Sequence, residues 1–405
     1  MTIYYLSFWN GGSAIDKKIL SKIKYLNIIG QPCQGLFVTN LPVNEWPVHE
    51  NVVFIELAAL HTNKLDHWFK LRNAYFDTLL KYIGEHLTVS DMVMHRFPTT
   101  IDFSFYRFIR SLPVPVYVEH NTKEWEEASR FILKEQRVTK NASPVKKIKE
   151  RIKTQWLRSY YWYADRVWKK KILQLVTKGV SVCYEIDRYE KKYFTAYPTV
   201  MISNSIDVSA VMPRTVPAFD GSELSIVMVS GWESEWLGLD LLIDALIQYK
   251  GSVKVKICYV GEVFEKHKAR IQSLSNCEIR FIDYCTGDAY SRLFNEAHIA
   301  IGSLALYRLN LKEASNLKTR DYMARGIPFV IGYEDTDLIN DKRWAPYYLQ
   351  FDNPENGIDL NKIIAFVQQI MPDRQHPADM HALAMQTVHT PVKMNILKQA
   401  IQSVF

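Results

Sequence analysis

Two acidic residues, Glu313 and Asp321, stand on either side of the start of a predicted helix, an arrangement suited to holding a sugar nucleotide. Ser315 or Asn316 can cap this helix, because a short side-chain oxygen accepts a free N–H of the first turn. The N–H groups around Ser315, Asn316 and Leu317, at the positive end of the helix dipole, would attract a pyrophosphate. The two carboxylates would accept hydrogen bonds from hydroxyls of a ribose and of a sugar. The plain alternative is a surface helix with solvated charges.

The segment that carries these residues predicts a loop, a helix, a turn and a strand. Residues 317–325 are mostly good helix formers. Gly326 can adopt the left-handed conformation that ends a helix, and Pro328 prevents its continuation. Residues 329–331 form a short apolar run typical of a buried strand. The sequence therefore predicts that Glu313 lies on a loop and Asp321 one turn inside the helix.

The same segment resembles the E-x7-E region of retaining family 4 glycosyltransferases, which have the GT-B fold. The resemblance rests on Glu313 and Asp321 and on the residues that follow them, Tyr322-Met323-Ala324-Arg325-Gly326-Ile327-Pro328. The second acid is Asp where the family usually has Glu. The resemblance implies that Glu313 contacts the transferred sugar and that Asp321 contacts the ribose of the nucleotide.

Length and composition predict two soluble domains. The chain of 405 residues exceeds what one hydrophobic core usually organises, and its 48% apolar and 23% charged residues are ordinary for a globular protein. Its five cysteines include no C-x-x-C pair, which favours reduced thiols over disulfides or zinc ligands. Neither a signal-peptide pattern nor an apolar run long enough for a spanning helix is evident. We therefore expect a cytoplasmic protein, with a peripheral position on the inner face of the plasma membrane as a further hypothesis.

Strand and helix patterns alternate in both halves, which favours two open parallel sheets. We place the first domain at residues 1–212 and the second at 213–385, with a linker at 211–221. Residues 386–405 predict a final helix, and the resemblance implies that it crosses back to the first domain. Together these features predict an α/β protein of GT-B fold, with two facing Rossmann-like domains and an interdomain cleft. The first domain would bind the acceptor and the second the nucleotide-sugar donor.

Glycine turns at strand ends provide further candidates for donor binding. Gly11 and Gly12 follow the first strand, where backbone amides of a turn are available to a ligand. Gly231 opens a loop after the first strand of the second half. Gly261 and Glu262 end the next strand, at the edge where the nucleotide would lie.

The loop after Gly231 departs from the family pattern. Family members commonly carry an Arg and a Lys there for the pyrophosphate, whereas this chain has Glu233-Ser234-Glu235-Trp236-Leu237. Either other bases neutralise the phosphates, or donor binding is weak or absent. The replacement that we favour is Lys318; the other bases near the helix start are Arg308, Lys312 and Arg320.

His120 comes at the C-terminal end of a predicted strand, where open α/β sheets place their ligands. A single histidine in such a place is more often structural. Members of the resembling family often have a polar residue here that faces the transferred sugar. The resemblance therefore implies that His120 and Glu313 are the catalytic candidates, with His120 near the anomeric carbon.

No metal site or cofactor is predicted. The sequence shows neither a D-x-D motif near these strand ends nor a His/Cys cluster, and the resemblance implies metal-independent catalysis. The resemblance implies transfer of a hexosyl unit from a nucleotide-diphosphate sugar to a glycan, expected to be lipid-linked, in cell-surface polysaccharide synthesis. A sugar-nucleotide epimerase of the same fold and a non-catalytic, membrane-docked scaffold stay open as alternatives.

Residues 140–171 are unusually rich in basic and aromatic side chains. This mixture suits an anionic membrane surface. A long helix with aromatic residues packed inward and solvated bases explains the composition equally well. We expect no nucleic acid partner, because no recognised nucleic-acid motif accompanies the segment.

Overall fold

The computed structural model describes residues 1–9, 11–57, 67–129, 143–271, 274 and 277–403. The chain divides into two compact units, the first made of residues 1–202 and 394–405 and the second of residues 203–393. Each unit contains a parallel sheet with helices, as the alternating pattern predicts.

The sheet of the first unit has, in the part of the chain described, seven parallel strands in the order β3-β2-β1-β4-β5-β6-β7. The strands are β1 (Ile3–Phe8), β2 (Cys33–Thr39), β3 (Val52–Glu56), β4 (Met92–Arg96), β5 (Val116–His120), β6 (Lys178–Ser181) and β7 (Thr199–Met201). The helices are α1 (Ala14–Ile28), α2 (His67–His86), α3 (Phe103–Ser111), α4 (Glu124–Glu127), α5 (Pro144–Leu175) and α6 (Tyr184–Lys191).

Alternate residues of these strands enter two separate hydrophobic clusters, because successive side chains of a strand point to opposite faces. Tyr5 belongs to a cluster with Ile19 of α1, whereas Leu6 belongs to a cluster with Phe105 of α3. Both faces of the sheet are therefore covered. Because both faces are covered, the sequences of the strands are nearly continuous apolar runs.

The sheet of the second unit has six described strands in the order β10-β9-β8-β11-β13-β15, and β12 pairs with β14 beside it. The strands are β8 (Glu223–Trp232), β9 (Lys254–Glu262), β10 (Cys277–Ile282), β11 (Ile299–Ile301), β12 (Glu313–Ala314), β13 (Phe329–Ile331), β14 (Glu334–Asp335) and β15 (Tyr348–Gln350). The helices are α7 (Leu239–Gln248), α8 (Glu265–Ile271), α9 (Gly287–Glu296), α10 (Leu317–Arg325), α11 (Thr336–Asn340), α12 (Leu360–Ile370) and α13 (His376–Thr387). The last helix, α14 (Thr390–Gln402), begins in this unit, and its residues from 394 onward belong to the first unit.

The units divide between residues 202 and 203, not after residue 212 as the sequence analysis placed the boundary. Residues 203–212 belong to the second unit, because they form hydrogen bonds with other residues of that unit. The Ile206 N–H donates to the oxygen of Val388 at 3.1 Å, and the Asn204 N–H donates to Ser315 Oγ at 2.7 Å.

The interpretation of residues 211–221 as a linker is wrong for Arg214. This side chain is 5% exposed, and its guanidinium donates to backbone oxygens of Ala297 and Gly326. Arg214 thus anchors the segment to the core of the second unit.

The last residues of the chain, 394–405, belong to the first unit. Leu397 and Ile401 of α14 are buried in the same cluster as Tyr5. The Lys398 ammonium donates to the oxygen of Ile29 at 2.7 Å, and the Tyr117 hydroxyl donates to the oxygen of Ala400 at 3.2 Å. Helix α14 therefore covers one face of the first sheet.

Gly326 ends α10 in the left-handed conformation that the sequence predicts, with φ of 68°. A Cβ atom there would lie 2.4 Å from the Cα of Pro377, at the start of α13. Gly326 thus combines a positive φ with a close approach of two backbones.

We expect Gly326→Ala to lower the free energy of unfolding by at least about 1–3 kcal/mol, because the new side chain adds backbone strain and a clash. Urea unfolding measures the change. Gly287→Ala is the matched control, since Gly287 has φ of 64° and a Cβ atom there would have no neighbour within 4 Å. Equal losses in the two variants would show that the contact with α13 contributes nothing.

Candidate active site

The candidate site lies in the second unit, at the C-terminal edge of its parallel sheet. Helix α10 begins there at Leu317, with Asn316 as the extended residue before it. The prediction that the side chain of Ser315 or Asn316 caps this helix is wrong, since no described side chain does so. Asn316 Nδ2 instead lies 3.4 Å from Ser303 Oγ, and Ser315 Oγ accepts from Asn204. The N-terminal N–H groups of α10 thus face no side-chain acceptor among the described residues.

Lys318 lies in the first turn of α10 and reaches back to the end of strand β8. Its ammonium donates to the backbone oxygen of Val229 at 3.0 Å. The structure pairs it with no carboxylate within the residues that it describes. The surrounding protein desolvates the ammonium and lowers the pKa of Lys318 to about 8. A partly buried cation without an acidic partner, beside a helix N-terminus, is chemically suited to bind an anion.

Two of the other bases considered for the phosphates, Arg308 and Arg320, already have partners within the protein. Arg308 pairs with Asp240, with Nη2 at 2.7 Å from Oδ2, and also donates to the backbone oxygen of Glu235 at 2.7 Å. Arg320 is completely buried. Lys312 is exposed on the segment before α10. Lys318 is therefore the base whose position and pairing best match the predicted role.

Arg320 holds together a buried ion-pair network that the sequence analysis did not predict. Its Nη1 lies 2.6 Å from Oδ2 of Asp335 and its Nη2 lies 2.5 Å from Oδ2 of Asp337. The ammonium of Lys393 lies 2.6 Å from Oδ1 of Asp337. Arg320 Nη2 also donates to Ser315 Oγ at 2.7 Å. The network fixes the residues immediately before α10.

The acidic pattern of residues 334–337 predicts a solvated segment. Glu334 is exposed, but the prediction is wrong for Asp335 and Asp337. Asp335 is completely buried and Asp337 is 6% exposed. Burial raises the pKa of the Asp335 carboxyl. Burial would also raise the pKa of Asp337, but Arg320 and Lys393 outweigh it and hold that pKa below its ordinary value. These two acids are therefore held by buried cationic partners and not by solvent.

Glu313 lies on the short strand β12, not on a loop as the sequence predicts. It is 3% exposed, and its Oε1 accepts a hydrogen bond from Thr336 Oγ1 at 3.0 Å. Strand β12 pairs with β14, which places Glu313 opposite Glu334. The carboxylate is thus held in a fixed position shortly before α10.

Asp321 lies inside α10 as predicted, and its carboxylate already has protein partners. Tyr290 donates its hydroxyl to Oδ2 at 2.8 Å, and Arg325 Nε donates to Oδ1 at 2.9 Å. The side chain is 15% exposed. Burial raises the pKa of Asp321. A ribose diol would join these partners, since a carboxylate can accept about four hydrogen bonds.

The acid in the loop after β8 is buried and has protein partners. The Glu233 carboxylate lies beside the His267 ring and accepts the Phe264 N–H at 2.5 Å. Phe264 immediately precedes α8, and His267 lies in its first turn. The loop that departs from the family pattern therefore carries a buried acid whose partners belong to the same unit.

Gly231 does not open a loop, because strand β8 continues to Trp232. Strands β8 and β9 change register after Val229, and Trp232 pairs with Glu262. Gly261 has φ of 118°, and a Cβ atom there would lie 1.8 Å from the oxygen of Ser230. Only glycine fits at this crossing of the two strand ends. The predicted donor residues Gly231, Gly261 and Glu262 thus lie together on neighbouring strand ends.

Gly11 and Gly12 lie in the first unit, between β1 and α1, with φ of 67° and 80°. The prediction that their amides are available to a ligand is wrong for Gly12. The Gly12 and Ser13 N–H groups donate to Asp16 Oδ2 at 3.1 and 2.9 Å, and Ser13 and Asp16 form a capping box for α1. An acid therefore occupies the position where an anionic ligand would bind.

His120 is completely buried in the first unit, and both of its ring nitrogens are partnered. Nδ1 lies 3.0 Å from Glu124 Oε1, and Nε2 lies 3.1 Å from the Tyr197 hydroxyl. Burial lowers the pKa of the ring. The prediction that His120 faces a sugar is not supported by this arrangement, which makes His120 a structural residue.

His120, Glu124 and Glu190 present atoms within 4.8 Å of one another that could ligate a metal. The ammonium of Lys169 already lies 2.8 Å from Glu124 and 2.9 Å from Glu190. Burial and repulsion from Glu124 raise the pKa of Glu190. Lys169 therefore supplies the positive charge that a metal ion would otherwise bring.

The fold is similar to those of known glycosyltransferases. A scan against protein-family models and a search of curated proteins each found no match. Sucrose-phosphate synthase from Thermosynechococcus elongatus has a TM-score of 0.65 and 12% identity, with coverage of 100% of this chain and 99% of that chain. HepE from Anabaena, in complex with UDP and glucose, has a TM-score of 0.62 and 12% identity, with 100% coverage of both chains.

A third similar structure is the lipopolysaccharide outer core galactosyltransferase WaaB in its apo form. Its TM-score is 0.62 at 11% identity, with 100% coverage of both chains. These likenesses and the two parallel sheets confirm the predicted α/β class and the GT-B fold.

Proposed function

We propose that this protein transfers a hexosyl unit from a nucleotide-diphosphate sugar to a glycan acceptor, with retention of configuration at the anomeric carbon. The observation that carries the proposal is the ammonium of Lys318, which has no described acidic partner and lies beside the N-terminus of α10 at the C-terminal edge of a parallel sheet. Open α/β sheets bind phosphorylated ligands at this edge.

The comparisons support the donor class. HepE structures contain UDP with glucose, UDP alone and UDP-glucose. A diphosphate at Lys318 would place its nucleoside further along α10. We propose that Asp321 binds the ribose there. Glu313 is our residue for the hydroxyls of the transferred sugar. We propose UDP as the first nucleotide to test.

In the proposed reaction, the bond between the anomeric carbon and the phosphate oxygen breaks while the acceptor hydroxyl attacks from the same face. The proton of that hydroxyl passes to the leaving diphosphate, so atoms and charges balance without a metal or an enzymic nucleophile. The protein contributes position and charge stabilisation. Lys318 and the N–H groups of α10 stabilise the leaving group.

For the acceptor, we propose a lipid-linked glycan, in cell-surface polysaccharide synthesis on the cytoplasmic side of the membrane. The lipopolysaccharide outer core galactosyltransferase WaaB is a similar structure that supports this choice.

Nucleotide binding tests the donor site most directly. We expect one of UDP, GDP, ADP, CMP and TDP to raise the melting temperature of the wild type by a few degrees, because a ligand at about 100 times its Kd adds about 2.7 kcal/mol. Asp321→Ala should abolish this shift, since the ribose loses its acceptor. Asp352→Ala, which removes an exposed acid after β15, is the control and should keep it. A shift of equal size in Asp321→Ala would remove Asp321 from the site.

A non-catalytic scaffold is the second candidate, favoured by the acid Glu233 in the loop where the resembling family carries bases. Product analysis separates the candidates. Nucleotide release that requires an acceptor supports transfer, and release without one supports an epimerase or hydrolase. Failure of every nucleotide to bind would support the scaffold.

A further inference from the structure

Helix α5 (Pro144–Leu175) presents an apolar stripe to solvent. Successive residues of an α-helix are rotated by about 100°, so residues three, four, seven and eight positions apart share a face. Five large apolar side chains fall on one such face, within an arc of about 80°. Their exposed fractions are 62% for Val145, 56% for Ile148, 65% for Ile152, 57% for Trp156 and 60% for Tyr163. We call these five residues the α5 stripe.

The α5 stripe points away from the core of the first unit. Tyr161 and Ile172, which lie on the opposite face of the helix, are 3% and 0% exposed. The interpretation that the aromatic residues of this segment all pack inward is therefore wrong. Trp156 and Tyr163 face solvent together with the aliphatic residues.

The first turns of α5 bury none of their described side chains. The described residues from 143 to 152 are exposed, including Val145, Ile148 and Ile152. A contiguous exposed apolar face on a helix marks an interaction site. At about 1.5 Å per residue, the α5 stripe extends about 27 Å from Val145 to Tyr163.

Basic side chains border the α5 stripe on both sides. Lys149 and Lys153 lie on one side of it, and Arg151 and Arg158 lie on the other. Long basic side chains can lay their apolar stems along such a surface while their charges reach outward. Lys169 does not belong to this border, since it is completely buried between Glu124 and Glu190.

We propose that the α5 stripe and its basic border bind the surface of an anionic membrane. The aliphatic residues would enter the boundary between headgroups and acyl chains, and the flanking bases would contact anionic headgroups. A second copy of this helix would bring like charges together along both borders. Nucleic acid offers base stacking to aromatic rings but no apolar phase to valine and isoleucine. Charge and apolar character together thus select a lipid surface.

The binding would be peripheral. Among the described helices, none combines the length and apolar character needed to cross a bilayer. The proposal does not depend on the chemistry proposed above, because α5 belongs to the first unit and the proposed donor site to the second.

Co-flotation with lipid vesicles tests the proposal with the full chain and without any nucleotide. We expect the wild type to float with phosphatidylcholine vesicles that contain a quarter phosphatidylglycerol, and much less with pure phosphatidylcholine. Added salt should weaken the binding, because it screens the basic border. Absence of flotation with the anionic vesicles would overturn the proposal.

Two variants separate the apolar from the charged contribution. We expect Ile148→Ser/Ile152→Ser/Trp156→Ser to lose binding, and Lys149→Gln/Lys153→Gln/Arg158→Gln to lower the partition coefficient on the order of a hundredfold, at about 1 kcal/mol for each base. These side chains lie at the surface, so both variants should keep the wild-type melting temperature.

The control variant, Val48→Ser/Val89→Ser/Met212→Ser, removes three apolar side chains that are 98%, 83% and 82% exposed elsewhere. It should float like the wild type. Unchanged flotation of the Ile148/Ile152/Trp156 variant would overturn the proposal. Concentration-dependent dimers, or a shift of labelled nucleic acid, in the absence of vesicle binding would overturn it in favour of those partners.

Discussion

Lys318→Ala is expected to lower turnover on the order of a hundredfold and to remove the stabilisation by nucleotide. The reason is electrostatic: Lys318 offers a cation beside the N-terminus of α10, and removal of one such donor from a reacting centre typically costs about 3 kcal/mol. Steady-state kinetics with the nucleotide sugar identified by thermal stabilisation measures the loss. The fold should be unaffected, because the one hydrogen bond that the side chain makes to a described residue goes to a backbone oxygen.

Lys312→Ala is the matched control for this experiment. Lys312 belongs to the segment before the same helix, but its side chain is exposed. We expect the activity of Lys312→Ala to stay within about twofold of the wild type. A large loss in Lys312→Ala with none in Lys318→Ala would transfer the phosphate-binding role to Lys312.

The pH dependence of donor binding provides a second readout of Lys318. Because desolvation lowers the pKa of Lys318 to about 8, the ammonium is present below that pH and loses its proton above it. The affinity for a nucleotide sugar should therefore fall as pH rises from 7 to 9. Lys318→Arg should bind without this fall, since a guanidinium keeps its charge throughout the range. An identical pH profile in the two proteins would show that another group titrates.

Arg320→Met is expected to lower the free energy of unfolding by about 3–5 kcal/mol. The substitution leaves Asp335 and Asp337 buried without their main cationic partner, and a buried charge without compensation is strongly destabilising. Urea unfolding, followed by circular dichroism, measures the change. A loss below about 1 kcal/mol would mean that water or Lys393 compensates the acids.

Arg343→Met is the matched control, because it breaks an Arg–Asp pair of the same chemistry at the surface. Arg343 pairs with Asp341 at 2.6 Å, but its side chain is 58% exposed. Exposed pairs contribute about 0–1 kcal/mol, so the expected change is small. The comparison isolates burial as the cause of the effect at Arg320.

The sequence was sufficient to predict the fold class and the extent of helix α10 with the strand that follows it. Alternating strand and helix patterns predicted both parallel sheets, and Gly326 and Pro328 predicted the end of α10. These features are local, since they depend on periodicity and on the conformations that single residues allow. That Lys318 binds the phosphates stays a prediction.

The errors concern residues whose environment depends on distant parts of the chain. His120 was assigned to a sugar, but Tyr197 and Glu124 enclose its ring. Asp335 and Asp337 looked solvated, but Arg320 draws them into the core. A carboxylate and a guanidinium separated by many residues give no periodic signal. The boundary at residue 202 was missed for the same reason, because hydrogen bonds to Ser315 and Val388 determine it.

The hydroxyl of Ser315 bears on how the specificity of this chain could be changed. It accepts from the Asn204 N–H and from Arg320, each at 2.7 Å, so it belongs to the framework and not to the ligand. The protein backbone at the start of α10 is already ordered, so binding of a ligand there would cost the protein little conformational entropy. Calorimetry should accordingly show a small entropic penalty. Directed evolution toward another nucleotide would have to leave Ser315 intact and vary residues around Asp321 and Tyr290.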